Sequence, residues 1–297
     1  MSTHIRSLLI LLVSTLGATS VDARASGRII EGFKNPESIL IDNGRRFVSN
    51  IGLSLDPVAH DGDGFISALD ADGRIVNLHA FPPADAKLDA PKGMAVLDGR
   101  LYVADIDRIV GFDLLTGKQV LTATVPGNEP SLLNDVAARD GKLIVSDTFR
   151  GTVYRVDPAS GVFTIFADGI AGANGLVWDE KNARVLVVSV GAAFEGGDLY
   201  EIDATGSVRK LDAGPHGILD GIVLTDTGSI IVSDWRGLGP SIAGTLTLHE
   251  PDGKFIGTIH EDVEIFGPAD FTLDTERREM WIPATVMNTV IIAPLPR

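Results

Sequence analysis

The amino-acid sequence predicts an all-β protein, a six-bladed β-propeller. Three observations carry this expectation: one phrase recurs six times, its period lies near forty residues, and each copy reads as strands. In each copy a polar residue typically opens a short apolar strand, a turn rich in Asp and Gly follows, and a second strand usually closes on Ser, Asn or Asp. The copies begin at Glu37 (ESILIDNGRRFVSN), Lys92 (KGMAVLDGRLYVAD), Asn134 (NDVAARDGKLIVSD), Asn174 (NGLVWDEKNARVLVVS), Asp220 (DGIVLTDTGSIIVSD) and Ala269 (ADFTLDTERREMWIPA). They lie 55, 42, 40, 46 and 49 residues apart, the spacing of four-stranded units set round a ring.

Taken in order, the first residues stand apart from the repeats. Arg6 precedes an apolar run over 7–16, and Ala23-Arg24-Ala25 fits the small-x-small rule of signal peptidase, so residues 1–25 read as a signal peptide and 26–297 as the propeller. The apolar run is too short to span a bilayer, which takes ~20 residues. The chain is therefore expected to be exported, periplasmic or secreted. Residues 27–33 (GRIIEGF) are expected to supply the outer strand that blade six lacks, because that blade shows only DFTLD, EMWIPA and TVIIAPL. Such pairing removes the open edge of the last sheet. Blade three shows all four strands in sequence, NDVAA, KLIVSD, GTVYRVD and VFTIFAD, with β-branched and aromatic residues alternating between turn residues.

Composition narrows the partners. With 44% hydrophobic residues in 297 the chain can bury a large core, and with no Cys its stability must come from packing and ring closure. A net charge of −15 argues against nucleic acid and anionic membrane and is compatible with a cation. The expected state is a monomer acting on a small molecule, without membrane contact once the leader is removed.

Strands alternate up and down, so the start of each first strand and the end of each second strand share one face. Three long connections also fall there, at 51–63, 191–198 and 236–244. Long loops on one face serve binding more often than packing. The first residue of each innermost strand points to the axis near that face, giving the column Glu37, Lys92, Asn134, Asn174, Asp220 and Ala269. Two carboxylates and two carboxamides offer only oxygen, a donor set for one hard divalent cation, calcium. The plainer reading is that these groups satisfy strand ends and channel water, as Asn and Asp do in loops.

This column also carries a family likeness. NPES around Glu37, LND at Asn134, NGLVW at Asn174 and LDGI at Asp220 resemble the four metal-ligand motifs of the senescence marker protein/gluconolactonase family, relatives of diisopropyl fluorophosphatase and paraoxonase. The resemblance implies a six-bladed propeller holding a divalent cation, commonly calcium, and hydrolysing lactones or phosphoesters. It implies Glu37, Asn174 and Asp220 as metal ligands, with Asn134 a ligand or a substrate contact. Leu132 stands where family gluconolactonases carry the arginine that holds a sugar acid, and Gly221 follows Asp220 where paraoxonase-like enzymes carry Asn. Blades two and three also resemble NHL repeats, many of which only bind partners.

On the hydrolase reading the cation polarises the carbonyl, and Asp220 or Glu37 acts on the attacking water. His216 is a further candidate base, with an unperturbed pKa of ~6.5. Lys92 is open to two roles: it anchors substrate, or it pairs directly with Glu37 and Asp220 in place of a metal, which would make the protein a binding propeller. Asp61-Gly62-Asp63-Gly64 lacks the spacing of a calcium loop and reads as a turn. Asn50, Asp105, Asp147 and Asp234, at the ends of second strands, are expected to cap.

Overall fold

A computed structural model describes residues 27–259 and 263–296. The expected signal peptide, residues 1–25, lies outside the described residues. Among them no helix is long and apolar enough to cross a membrane.

Six antiparallel sheets follow one another along the chain, and the first five each start with an innermost strand: Pro36–Asp42, Pro91–Leu97, Leu133–Arg139, Ala173–Asp179 and Leu219–Leu224. In the sixth, Thr272–Asp274, Glu279–Ala284 and Thr289–Pro294 are joined by Arg28–Glu31 from the other end of the chain, with Arg28 opposite Ile292 and Glu31 opposite Thr289. Burial falls off from the axis outward. The second strand of blade two, Arg100–Asp105, is buried at every position but the first, whereas its outermost strand, Gln119–Thr124, is mostly exposed. The first is covered on both faces by neighbouring blades and so reads as an unbroken apolar run.

Six larger apolar clusters fill the six seams between blades. Tyr102 and Ile109 of blade two meet Leu143 and Val156 of blade three, for example, and Trp281 and Val290 of blade six meet Ile39, Val48 and Leu69 of blade one. That last seam closes the ring. It also holds a buried ion pair, Arg46 with Asp274, the guanidinium 5.2 Å from the Trp281 ring centroid.

Blade five carries a buried histidine. His249 bonds Gly253 O through Nδ1 (2.9 Å) and the Thr247 hydroxyl through Nε2 (2.8 Å), and burial lowers its pKa below 6.5. As pH falls, the unfolded chain therefore takes up this proton first. The stability contribution is whole above about pH 6.5 and is lost as pH falls through the folded value. Thermal melts from pH 7.5 to 5 should show a smaller acid-side drop in His249→Gln than in the wild type; equal slopes would remove His249 from the account.

Candidate functional site

The five long innermost strands share one irregularity. Each ladder to the second strand slips just after its first residue, between Pro36 and Ile39, Pro91 and Met94, Leu133 and Val136, Ala173 and Leu176, and Leu219 and Ile222. The two residues inside each slip are the column residue and its successor. A bulge of this kind leaves residues unpaired and re-aims their side chains, which is how a regular sheet directs a polar group at the axis. The freed amides are not wasted: Ser38, Asp135 and Gly221 donate N–H to Ser49, Ser146 and Ser233 of the second strands, at 2.9, 3.0 and 2.7 Å. This is the physical reason for Ser near the ends of those strands.

The capping expectation for the last residue of the second strand holds. Asp105 accepts from the amides of Asp89 and Ala90, Asp147 from Leu132 N and the Ser131 hydroxyl, Asp234 from Ile218 N, and Asn50 from Lys34 N. Each fastens the segment that leads into its own blade. The Asp61–Gly64 stretch is a turn, with Asp63 accepting from Leu53 N (3.0 Å) and giving its own N–H to Asp61.

Glu37, Lys92, Asn134, Asn174 and Asp220 are all buried. Four oxygens among them, Glu37 Oε2, Asn134 Oδ1, Asn174 Oδ1 and Asp220 Oδ1, have no hydrogen-bond donor among the described residues. Buried oxygens are seldom left so, because each costs ~1–3 kcal/mol. Two of the four side chains are held at their other polar atom: Trp235 Nε1 donates to Asp220 Oδ2 (2.6 Å), and Asn174 Nδ2 donates to Leu219 O (3.3 Å). The orphaned oxygens of Asp220 and Asn174 thus belong to positioned side chains.

Two further carboxylates join the group. Asp135 accepts from Leu176 N and Val136 N at 2.7 and 2.6 Å. Asp270, not Ala269, supplies blade six's polar group, bonded by the Ser38 hydroxyl while its amide donates to Glu37 O (3.0 Å). Burial, then the charges of Asp220 and Asp270, holds the Glu37 carboxyl well above its ordinary range. Burial raises Asp220 to about 7, against the Trp235 bond that lowers it, and raises Asp135 to about 6. Asp270 is pushed up by burial and by Asp135. Four mutually repelling carboxyls and four donorless oxygens suit a divalent cation with oxygen ligands. No three His, Cys, Asp or Glu side chains form a metal cage among the described residues; here two of the donors would be carboxamides.

Lys92 takes neither expected role outright. Its ammonium donates to Pro57 O and Ala90 O, both at 2.9 Å, and makes no ion pair with Glu37 or Asp220. Direct pairing in place of a metal is therefore not what the fold builds, because the rim loop of blade one captures the ammonium first. Burial lowers the Lys92 pKa while Glu37 and Asp105 oppose the shift. His216 is exposed and, among the described residues, makes no hydrogen bond to the column residues. Its two-residue strand pairs with the third strand of blade four, and its Nδ1 lies 3.0 Å from Asp198, which Lys210 also holds at 2.9 Å. Asp135, Asp270 and Trp235 escaped sequence reasoning, although Asp135 sits in the same LND phrase as Asn134.

A cavity of about 350 Å³ opens on this face between the rim loop of blade one and blades two and three. None of the column residues lines it. It lies beside the axial cluster, not over it.

The family model for the SMP-30/gluconolactonase/LRE-like region matches residues 63–282. Among curated proteins, lactonase drp35 from two strains of Staphylococcus epidermidis is 21% identical over 153 residues, 50% of this chain and 46% of the relative. The match thus spans about half the length of those relatives. Among solved structures, virginiamycin B lyase from Staphylococcus aureus superposes with a TM-score of 0.62 at 14% identity, covering 91% of this chain and 100% of that one. A protein of unknown function from Bacteroides thetaiotaomicron gives 0.64 at 12% identity, covering 91% and 73%. At such identities the structures speak for the fold alone.

Proposed function

The chain belongs to the SMP-30/gluconolactonase/LRE-like family, and from that premise we propose that it is a divalent-cation-dependent hydrolase of a lactone or related ester, working at the channel mouth. One observation carries the reading: the oxygens left without donors belong to Glu37, Asn134, Asn174 and Asp220, one from each of four blades. These four would hold the cation, calcium by its donor set, which supplies Lewis acidity toward the ester carbonyl.

The chain's own groups do the rest. Trp235 clamps one oxygen of Asp220 and so fixes the direction of the other. Asp220, or Glu37 two blades away, orients the attacking water. A carboxylate beside a cation is a weakened base, so positioning is the larger part of its contribution. Asn134 contacts the substrate or the cation. Lys92 secures the rim loop through Pro57 and adds positive charge near the carbonyl oxygen. Export, a monomeric state and a small-molecule substrate are part of the same proposal.

The test is calorimetric titration of the purified chain with calcium, beside a lactone and phosphoester screen run with and without chelator. One ion per chain, lost in Asp220→Ala together with turnover, is the expected result. Hydrolysis indifferent to both chelator and variant would sink the reading.

A further inference from the structure

We propose that the cavity beside the channel mouth receives an apolar arm of the substrate, so that the chain acts on an uncharged lactone or ester bearing an alkyl or aryl substituent; this rests on the hydrolase reading above. At about 350 Å³ it falls at the lower end of the ~300–1,000 Å³ of small-molecule sites. Val58, Ile106, Val125, Pro130 and Phe149 give it an apolar wall. Val58 and Phe149 are 40% and 46% exposed, apolar surface left uncovered among the described residues.

The cavity adjoins the axial cluster at two points. Pro57, next to Val58, accepts the Lys92 ammonium, and Ile106 O accepts from the amide of Leu133 (2.6 Å), the residue before Asn134. On this proposal an arm from an ester held near Asn134 would pass over the rim toward blades two and three to reach it. Beyond the cavity, Leu53, Leu55, Leu238 and Ile242 are exposed on the rim loops of the same face, which extends apolar surface round the mouth.

Charge excludes an acidic arm. Arg150 lines the cavity, but its donors are taken by Pro126 O, Glu129 O and Pro130 O and its charge is offset by the buried Asp147 at 3.7 Å. His60 is turned to Asp89 (3.2 Å), and Asp107 and Glu129 add negative charge to the wall. The buried carboxyls of the axial cluster repel an anion as well. An alkyl chain finds the exposed side chains of Val58 and Phe149 on one side of a wall that is otherwise polar.

The experiment compares γ-lactones with arms from none to about eight carbons, with calcium supplied, and measures binding of the neutral fluorophore N-phenyl-1-naphthylamine. The expected kcat/KM rises about 4-fold per methylene until the cavity fills. Saturable fluorophore binding should be displaced by the longest lactone. Phe149→Asp should flatten the series and abolish fluorophore binding, while Leu115→Asp, at an exposed turn on the opposite face, should change neither. Melting curves confirm that both variants fold. Turnover of small lactones with no gain from the arm and no fluorophore binding overturns the proposal and leaves the hydrolase reading standing. Fluorophore binding lost in Phe149→Asp, with no lactone turned over, supports the pocket and removes the hydrolase.

Discussion

Glu37→Gln is expected to reduce turnover by on the order of 10³-fold and to abolish saturable calcium binding, while raising the melting temperature of the ion-free protein. The opposite signs have one cause. Glu37 is a buried carboxyl facing Asp220 and Asp270 with one oxygen unpaired, a poor element of a core and a good ligand for a cation. An amide at this position removes the repulsion and offers N–H to those carboxyls, worth ~1–3 kcal/mol, or ~2–4 °C per kcal/mol in a chain of this size. The same change removes a charged donor whose loss costs several kcal/mol at the transition state. Differential scanning calorimetry with and without calcium checks both halves. Wild type should gain ~2.7 kcal/mol at a calcium concentration of 100 times Kd, and the variant should gain nothing. A variant less stable than wild type without ions would mean that Glu37 is satisfied in the fold, and the site would lose its rationale.

The second large effect lies at the ring-closing seam. Arg46→Ala leaves Asp274 buried without its partner and strips the Trp281 ring of its cation, at an expected cost of ~3–5 kcal/mol. The paired change Arg46→Met with Asp274→Leu should recover most of that loss, because two apolar groups need no partner. Denaturant unfolding of wild type, Arg46→Met, Asp274→Leu and the pair forms a complete cycle, with Arg46→Ala measured beside it. A loss under ~1 kcal/mol in Arg46→Ala would show that the seam is held by its apolar cluster and the Arg28–Glu31 strand alone.

The column Glu37, Asn134, Asn174 and Asp220 was legible because each residue opens a repeat, and repeated units place equivalent residues equivalently. Asp270 was not legible, because it holds the successor position, the one Asp135 holds in blade three, while the column residue of blade six is the apolar Ala269. The fate of Lys92 depends on Pro57, a loop residue with no counterpart in other blades. Trp235 follows the last residue of its strand, where the repeat no longer constrains the sequence. The setting of His216 was not legible either, because its two-residue strand pairs with the third strand of blade four, a contact no other blade makes among the described residues. Short-range pattern finds what the repeat imposes; contacts made once, by a single loop, are invisible to it.

The residues behind the column set a last property. Gly93, Gly175 and Gly221 have no room for a side chain, since a Cβ would come within 2.3 Å of the Asp135 carboxylate, 2.1 Å of Asp220 O and 2.8 Å of Ala269 O. Where the successor is not glycine, as at Asp135 and Asp270, it crosslinks to the next strand. The collar therefore has backbone against backbone on some sides and hydrogen-bonded struts on others, with no slack to tighten. If these side chains hold a cation, so stiff a collar would favour calcium, which tolerates ~2.3–2.6 Å and an irregular shell, over magnesium, which demands ~2.0–2.1 Å. Selectivity would then come from the stiffness of the scaffold rather than from the strength of any ligand.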